Sequence, residues 1–422
     1  MTTDFIRAAN CADDYAPNSM PVDKARQYIR DFLTPVEARE CLPLTEALGR
    51  VLSADILSPH NVPNHHNSAM DGYALNADDA SASGQRTLRI AGTAFAGKPY
   101  TGDIARGECV RIMTGAVLPA GCDSVLMQEH VSVAGDTITF DAPVKRSQNV
   151  RYAGEDLQQG QVVFATGHRL RPADLGLIAS LGVGEVHVFR KLRVAFFSTG
   201  DELTSIGHPL AEGQIYDSNR YTLHGMLARL GVEIIDMGVV RDDPKLLESA
   251  LHEAAAAADV ILTSGGVSVG EADYMKQLLN ELGQVVFWKI AMKPGRPLAY
   301  GKIGHAHYFG LPGNPVAVMV TFYQFVRHAL LVLMGQPNPA PIPMLPATCT
   351  EVLKKATGRT EFQRGILFPD QDGTWKVRPI GNQSSGVLRS MSEANCFIVL
   401  PESCGNVPAG QTVQVQVLEG IV

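Results

Sequence analysis

Nothing near the start of this chain reads as a leader: residues 1–21 have neither a basic n-region nor an apolar h-region. No apolar run reaches bilayer length without interruption, which predicts that no segment spans a membrane. Cysteine is sparse and unpatterned. The seven (Cys11, Cys41, Cys109, Cys122, Cys349, Cys396 and Cys404) show no pair at metal-ligand spacing. An odd count without a framework excludes a disulfide scaffold and points to a reducing, cytoplasmic setting. The formal net charge of −7 over 422 residues leaves no global footprint for nucleic acid. Several motifs are missing as well: no Walker loop, no G-x-G-x-x-G after a strand, and no Ser/His/Asp or Cys/His set.

At 422 residues the chain exceeds one core, and three or four domains are expected. The first twenty residues read as a loose extension. Val22–Leu33 has an apolar stripe at helical spacing and ends at Pro35; a short helix over Leu44–Leu48 and a strand over Val51–Ile56 follow. The turn-rich Asn61–Tyr73 reads as a surface loop in which Asn67, Ser68 and Asp71 could line a site, with His65 and His66 solvated. Residues 74–150 read as short strands. Asp174–Leu181 returns to helix and Gly182–Val188 to strand.

From Lys191 the pattern turns to α/β alternation, with strands at Val194–Phe197, Glu233–Met237, Val260–Leu262, Val285–Ala291 and Tyr308–Leu311. Helices are expected at Ser218–Leu230, Asp243–Ala257, Asp273–Leu282 and Ala317–Leu333. A proline-rich linker, 335–346, leads to short strands that suggest a small β-barrel. The expected fold is thus multidomain: a doubly wound, mostly parallel α/β domain (191–336), an inserted β domain (57–156) and an elongated scaffold domain (21–56 with 157–190). A C-terminal β-barrel (337–422) completes it.

One stretch organises the rest. The apolar Val260-Ile-Leu262 breaks at Thr263-Ser-Gly-Gly266, and Asp273 opens a helix. A strand, a glycine turn and a helix start together offer backbone N–H groups at a positive helix end, which suits a phosphate or another oxyanion. Ligands of such sheets bind beyond the C-terminal strand ends. That rim collects Asp201, Glu202, Asp242, Asp243, Glu271 and Asp273, with Lys289, Lys293 and Arg296. Acids around a phosphate call for Mg²⁺, and the bases for oxyanion clamping. Taken singly, Asp243 reads as a helix cap and Lys289 or Lys293 as solvated charges. Jointly they favour a pocket for a phosphate-bearing, metal-assisted substrate.

The motifs Asn67-Ser-Ala-Met-Asp-Gly-Tyr73, Ile112-Met-Thr-Gly-Ala116, Ser198-Thr-Gly-Asp-Glu202, Gly213-Gln-Ile-Tyr-Asp217, Ser264-Gly-Gly-Val-Ser-Val-Gly-Glu-Ala-Asp-Tyr274 and Leu311-Pro-Gly-Asn-Pro315 carry a resemblance. In combination and in order, the chain resembles the molybdopterin molybdenumtransferases, the molybdenum insertases of molybdenum-cofactor biosynthesis, related to the C-terminal domain of gephyrin. The resemblance implies a homodimer that takes adenylylated molybdopterin and molybdate, with Mg²⁺, and releases AMP. It implies that Glu202, Asp242 and Asp273 hold the metal, and that Lys289 assists the phosphates. Lys293 and Arg296 would bind molybdate near Pro312 and Pro315. Asp217, Ser264, Gly265, Gly266, Ser268 and Gly270 would line the substrate cleft. Ser68, Asp71, Thr114, Arg151 and Asp156 would reach the cleft from the β insert of a partner subunit, and Arg364 and Ser385 from the barrel.

Where many members carry Lys, Ser or an acid, this chain has Arg296, Ala317 and His66. Tyr152-Ala153 stands where some extend an arginine run. These departures bear on molybdate affinity more than on reaction type. Alternatives from the same resemblance are a molybdopterin adenylyltransferase and a non-catalytic scaffold. Tungstate, nearly isosteric with molybdate, is a close variant. Partner proteins would be the adenylyltransferase and apo-molybdoenzyme maturation factors.

Overall fold

The computed structural model describes residues 19–80, 84–266 and 272–418. They form two compact units, one comprising Pro43–Glu46 and Ala54–Val186, the other the chain up to Leu42, Ala47–Ser53 and the residues from His187 onward.

The larger unit is organised on a six-stranded sheet. Its spatial order is Glu233–Val240, Arg193–Thr199, Val260–Ser264, Ala306–Leu311, Pro297–Ile303 and Gly283–Lys289. All strands run parallel except Pro297–Ile303, which pairs antiparallel with both neighbours. Alternation along one strand shows why the fold has three layers. Val194 and Phe196 enter one core with Leu223, Leu227, Val316 and Val320, whereas Ala195 and Phe197 enter a second with Leu247, Leu251, Leu278 and Leu279. Helices Ser218–Leu230 and Pro315–Leu333 therefore cover one face; Pro244–Ala257 and Ala272–Leu282 cover the other. Each fully buried Leu or Phe contributes about 1.5–3 kcal/mol.

Two local expectations change, and one strand has no counterpart in the sequence pattern. Pro297 starts that strand; a proline at a first strand position withholds no ladder donor from its neighbours. The expected helix over Leu44–Leu48 is a single 3₁₀ turn, Leu44–Glu46. In the stretch read as a stiff linker, Met344–Cys349 is a strand that pairs antiparallel with Thr412–Val417. The helix Pro315–Leu333 spans 19 residues and is long and apolar enough to cross a bilayer, although the sequence suggested no such run. In this fold 83% of it is buried inside the unit, and Phe322–Val326 widen into a π turn.

Helix Val22–Asp31, grouped by sequence with the scaffold segments, buries Val22, Ala25 and Ile29 in the core of the larger unit. Beyond the sheet, Thr360–Pro369, Trp375–Pro379, Met344–Cys349, Thr412–Val417 and Cys396–Leu400 pair in that order, and the last closes on the first. That closed ring is the C-terminal barrel, with Val377, Ile398 and Val415 inside.

The smaller unit carries a six-stranded sheet with Gly72–Leu75, Glu108–Ile112 and Arg86–Ala94 at its centre. Its two faces separate as period-2 strands require: Tyr73 and Leu75 on one side, Ala74, Val110 and Ile112 partly on the other.

Candidate active site

The C-terminal ends of the parallel strands open into a cleft of about 960 Å³. Of the residues expected there, Glu202, Asp217, Asp242, Ser264, Gly265, Gly266, Lys293, Arg296, Pro312, Pro315 and Ser385 all line it. They come from separate turns, each fixed by ordinary backbone chemistry.

The glycine turn comes first. Gly265 and Gly266 have φ of +93° and +69°. A Cβ on Gly265 would collide with the Thr199 carbonyl oxygen of the adjacent strand, so only glycine lets these two strand ends lie side by side. The Gly265 N–H donates to Leu311 O at 3.2 Å, joining the turn to the next strand end.

The acidic wall follows. Asp242 accepts a hydrogen bond from the Thr199 hydroxyl, and its N–H donates to Asp201 at 3.4 Å. Asp243, its neighbour, is spent elsewhere: its carboxylate accepts from Lys245 N–H and Leu246 N–H, both at 3.0 Å, and caps Pro244–Ala257. Replacing Asp243 with Ala should lower stability by about 1 kcal/mol, read as a lower denaturant midpoint, while Asp243→Ser should restore most of it.

Asp217 caps Ser218–Leu230, with one oxygen accepting from Arg220 N–H at 3.1 Å. Its other oxygen is buried and has no partner. Two residues on stands Asn219, whose side-chain amide donates to Ser264 Oγ and to Gly313 O, both at 2.7 Å. It thereby ties the glycine turn to the Pro312–Pro315 turn, and its own Oδ1 is likewise buried and unpartnered. Asp217 is 2% and Asn219 8% exposed, so neither acceptor is satisfied by bulk water. Sequence reasoning missed Asn219 and Thr199. A polar residue in a helix's first turn looks like capping, and nothing local announces a bond to residues 45 and 94 positions away.

The basic wall is Lys293 and Arg296, both exposed. Lys293 lies 3.6 Å from Glu361, a buried carboxylate on the barrel strand Thr360–Pro369. Arg296 donates to Ser19 at 3.3 Å.

Other expected residues stand elsewhere. Lys289 ends the edge strand on the same rim but does not line the cleft, and its carbonyl accepts from Met20 N–H. Arg364 does not line it either. Its guanidinium is buried and donates to Asn382 O, Ser384 O and Ser390 Oγ, so it holds the loop that presents Ser385. Burial pulls Arg364 down to about 10. Ser268 and Gly270 lie outside the described residues. Of Asp273 only the backbone is described, in the first turn of Ala272–Leu282.

In the smaller unit, Asp71 and Thr114 meet: one Asp71 oxygen accepts from the Thr114 N–H at 2.7 Å and its hydroxyl at 2.8 Å. Those bonds, the backbone one first, hold the Asp71 carboxyl below the usual carboxylate range. Arg151 pairs with Glu155 at 2.9 Å, and Asp156 is exposed. Ser68 is buried, its hydroxyl donating to Met70 O at 2.5 Å.

For a metal, no three His, Cys, Asp or Glu side chains among the described residues gather closely enough to hold an ion alone. Two carboxylates, Glu202 and Asp242, do line the cleft, and Mg²⁺ takes one or two carboxylates and fills its octahedron with phosphate oxygens and water.

Comparison with known proteins agrees with this architecture along nearly the whole chain. Residues 20–182 match the MoeA N-terminal region (domain I and II), residues 195–332 the "Probable molybdopterin binding domain", and residues 346–418 the MoeA C-terminal region (domain IV). A curated molybdopterin molybdenumtransferase from Haemophilus influenzae is 46% identical over 398 residues, covering 94% of this chain and 98% of that one. The chain belongs to the molybdopterin molybdenumtransferase family. A second family member, molybdopterin molybdenumtransferase 2 of Mycobacterium tuberculosis, is 36% identical over 89% of this chain and 94% of its own. Among solved structures, the molybdopterin biosynthesis moeA protein of Pyrococcus horikoshii OT3 superposes with a TM-score of 0.83 at 30% identity, covering 94% of this chain and all of that one. Two of the three family segments line the cleft just described: Glu202, Asp242, the glycine turn, Lys293 and Arg296 fall within the second, and Ser385 within the third.

Proposed function

We propose that this chain inserts molybdenum from molybdate into adenylylated molybdopterin, hydrolysing the adenylate and releasing AMP to give molybdenum cofactor. The observation that carries the reading is one cleft lined by two carboxylates, Glu202 and Asp242, two cations, Lys293 and Arg296, and the side-chain-free Gly265–Gly266 turn. A phosphoanhydride is cleaved by positioning and electrostatics rather than by a covalent nucleophile. Molybdate, a doubly charged tetrahedral anion, suits the two exposed cations.

Glu202 and Asp242, with Asp273, would hold Mg²⁺, which when bound supplies charge neutralisation at the phosphates. The Thr199 hydroxyl fixes the Asp242 carboxylate at the strand end. Asn219 keeps the glycine turn and the Pro312–Pro315 turn in register. Lys293 and Arg296 bind the oxyanion beside the Pro312 and Pro315 backbone. Lys289, on the rim but outside the cleft, would act on the phosphates only as a longer-range charge. Asp71, Thr114, Arg151 and Asp156 are the residues a partner subunit would supply in a homodimer.

An adenylyltransferase is the competing reading, since the α/β fold alone suits either step. The experiment is to supply molybdopterin with ATP in one arm, and adenylylated molybdopterin with molybdate and Mg²⁺ in the other. The reading predicts product only in the second arm. Adenylate formed from ATP would replace it with the adenylyltransferase, and no product in either arm would favour the scaffold.

A further inference from the structure

The cleft has one feature that neither acids nor bases account for. Leu203–Thr204 and Ile215–Tyr216 form a small parallel ribbon at its lip, tied down by Ile215 N–H to Glu202 O at 2.9 Å and Asp217 N–H to Thr204 O at 3.1 Å. The ribbon presents apolar surface to water at the mouth of a polar cleft: Ile215 is 55% and Tyr216 44% exposed, and both line the cleft. Tyr216 is not free to fold away, because its phenol donates to His208 O at 2.9 Å. A tethered, exposed aromatic face is a stacking platform with little rotamer freedom left to lose.

The next residues sharpen the point. Asp217 and Asn219, just past the platform, each hold a buried acceptor without a donor. A carboxylate there repels phosphate and molybdate, so this part of the cleft wants N–H groups, while the cations that suit an anion are Lys293 and Arg296. A flat heteroaromatic ring with an amino group answers both demands, an apolar face for the platform and N–H groups for an acceptor-rich neighbourhood. We propose that Tyr216 stacks on such a ring of the substrate, the pterin or the adenine, and so positions it. This rests on the reading that the cleft takes adenylylated molybdopterin.

The test is anaerobic equilibrium binding of AMP alone and of molybdopterin alone to wild type, Tyr216→Ala and Tyr216→Phe, with thermal midpoints as a folding control. Tyr216→Ala should weaken one ligand by about tenfold, the size expected for base–aromatic stacking. The other ligand should hold within about twofold, and Tyr216→Phe, which keeps the ring but loses its tether to His208, should fall between wild type and Tyr216→Ala for the stacked ligand. The ligand that weakens names the ring. Unchanged binding of both by Tyr216→Ala would overturn the inference, as would both weakening together, or Tyr216→Phe proving as harmful as Tyr216→Ala, since either points to collapse of the ribbon. If wild type binds neither ligand, the substrate reading itself fails, and this inference with it.

Discussion

Asp242→Ala is expected to cut single-turnover AMP release by about a hundredfold or more, the scale on which loss of one fixed electrostatic group acts. The Asp242 carboxylate is held by the Thr199 hydroxyl at the end of one parallel strand, in the same cleft as Glu202 and the glycine turn. On the proposed function its role is charge, not shape. Asp242→Asn keeps an acceptor for Thr199 but loses the negative charge, so it should be nearly as slow as the alanine variant. A Thr199→Val variant keeps the charge but frees the carboxylate, and should fall between the two. A fully active Asp242→Asn protein would show that the carboxylate does nothing a neutral amide cannot.

The second large effect concerns the opposite wall. Arg296→Ala should raise the molybdate concentration for half-maximal turnover by about tenfold to a hundredfold, because a charge-assisted hydrogen bond is worth about 1.5–3 kcal/mol. Among the described residues its side chain donates to the Ser19 hydroxyl in a solvent-exposed bond, so the fold itself loses little. Arg296→Lys should shift that concentration by no more than about threefold, since the charge remains and only the forked donor geometry is lost. Lys293 is the less clean probe. Removing it strands the buried Glu361 without its cation, so a stability change would accompany any loss of affinity. If Arg296→Ala leaves the molybdate dependence unchanged while AMP release is normal, molybdate binds elsewhere.

Much of this arrangement was legible because its causes are local. Asp243 followed by Pro244 announces a capped helix start, and the structure has that cap. Val194–Phe197 and Val260–Leu262 are apolar at every position because both faces of the sheet are covered, which is the mark of a buried parallel strand. What could not be read depends on contacts distant in sequence. Pro297–Ile303 begins amid Lys-Pro-Gly-Arg-Pro, loop-like by composition, and becomes a strand only because edges on both sides pair with it. Arg364 looks like an anion ligand until its donors are seen committed to three groups of the 382–390 segment. Asn219 looks like a helix-start residue until Ser264 and Gly313 arrive beside it. The unpartnered acceptors of Asp217 and Asn219 are invisible to any sequence rule, since they are defined by what fails to approach them.

The most direct test of the central claim is single-turnover release of AMP from adenylylated molybdopterin by the purified protein with Mg²⁺, followed with and without molybdate. The account predicts AMP release that depends on molybdate and is matched by molybdenum appearing in the pterin product. Substrate bound but left intact, with molybdate making no difference, would contradict it.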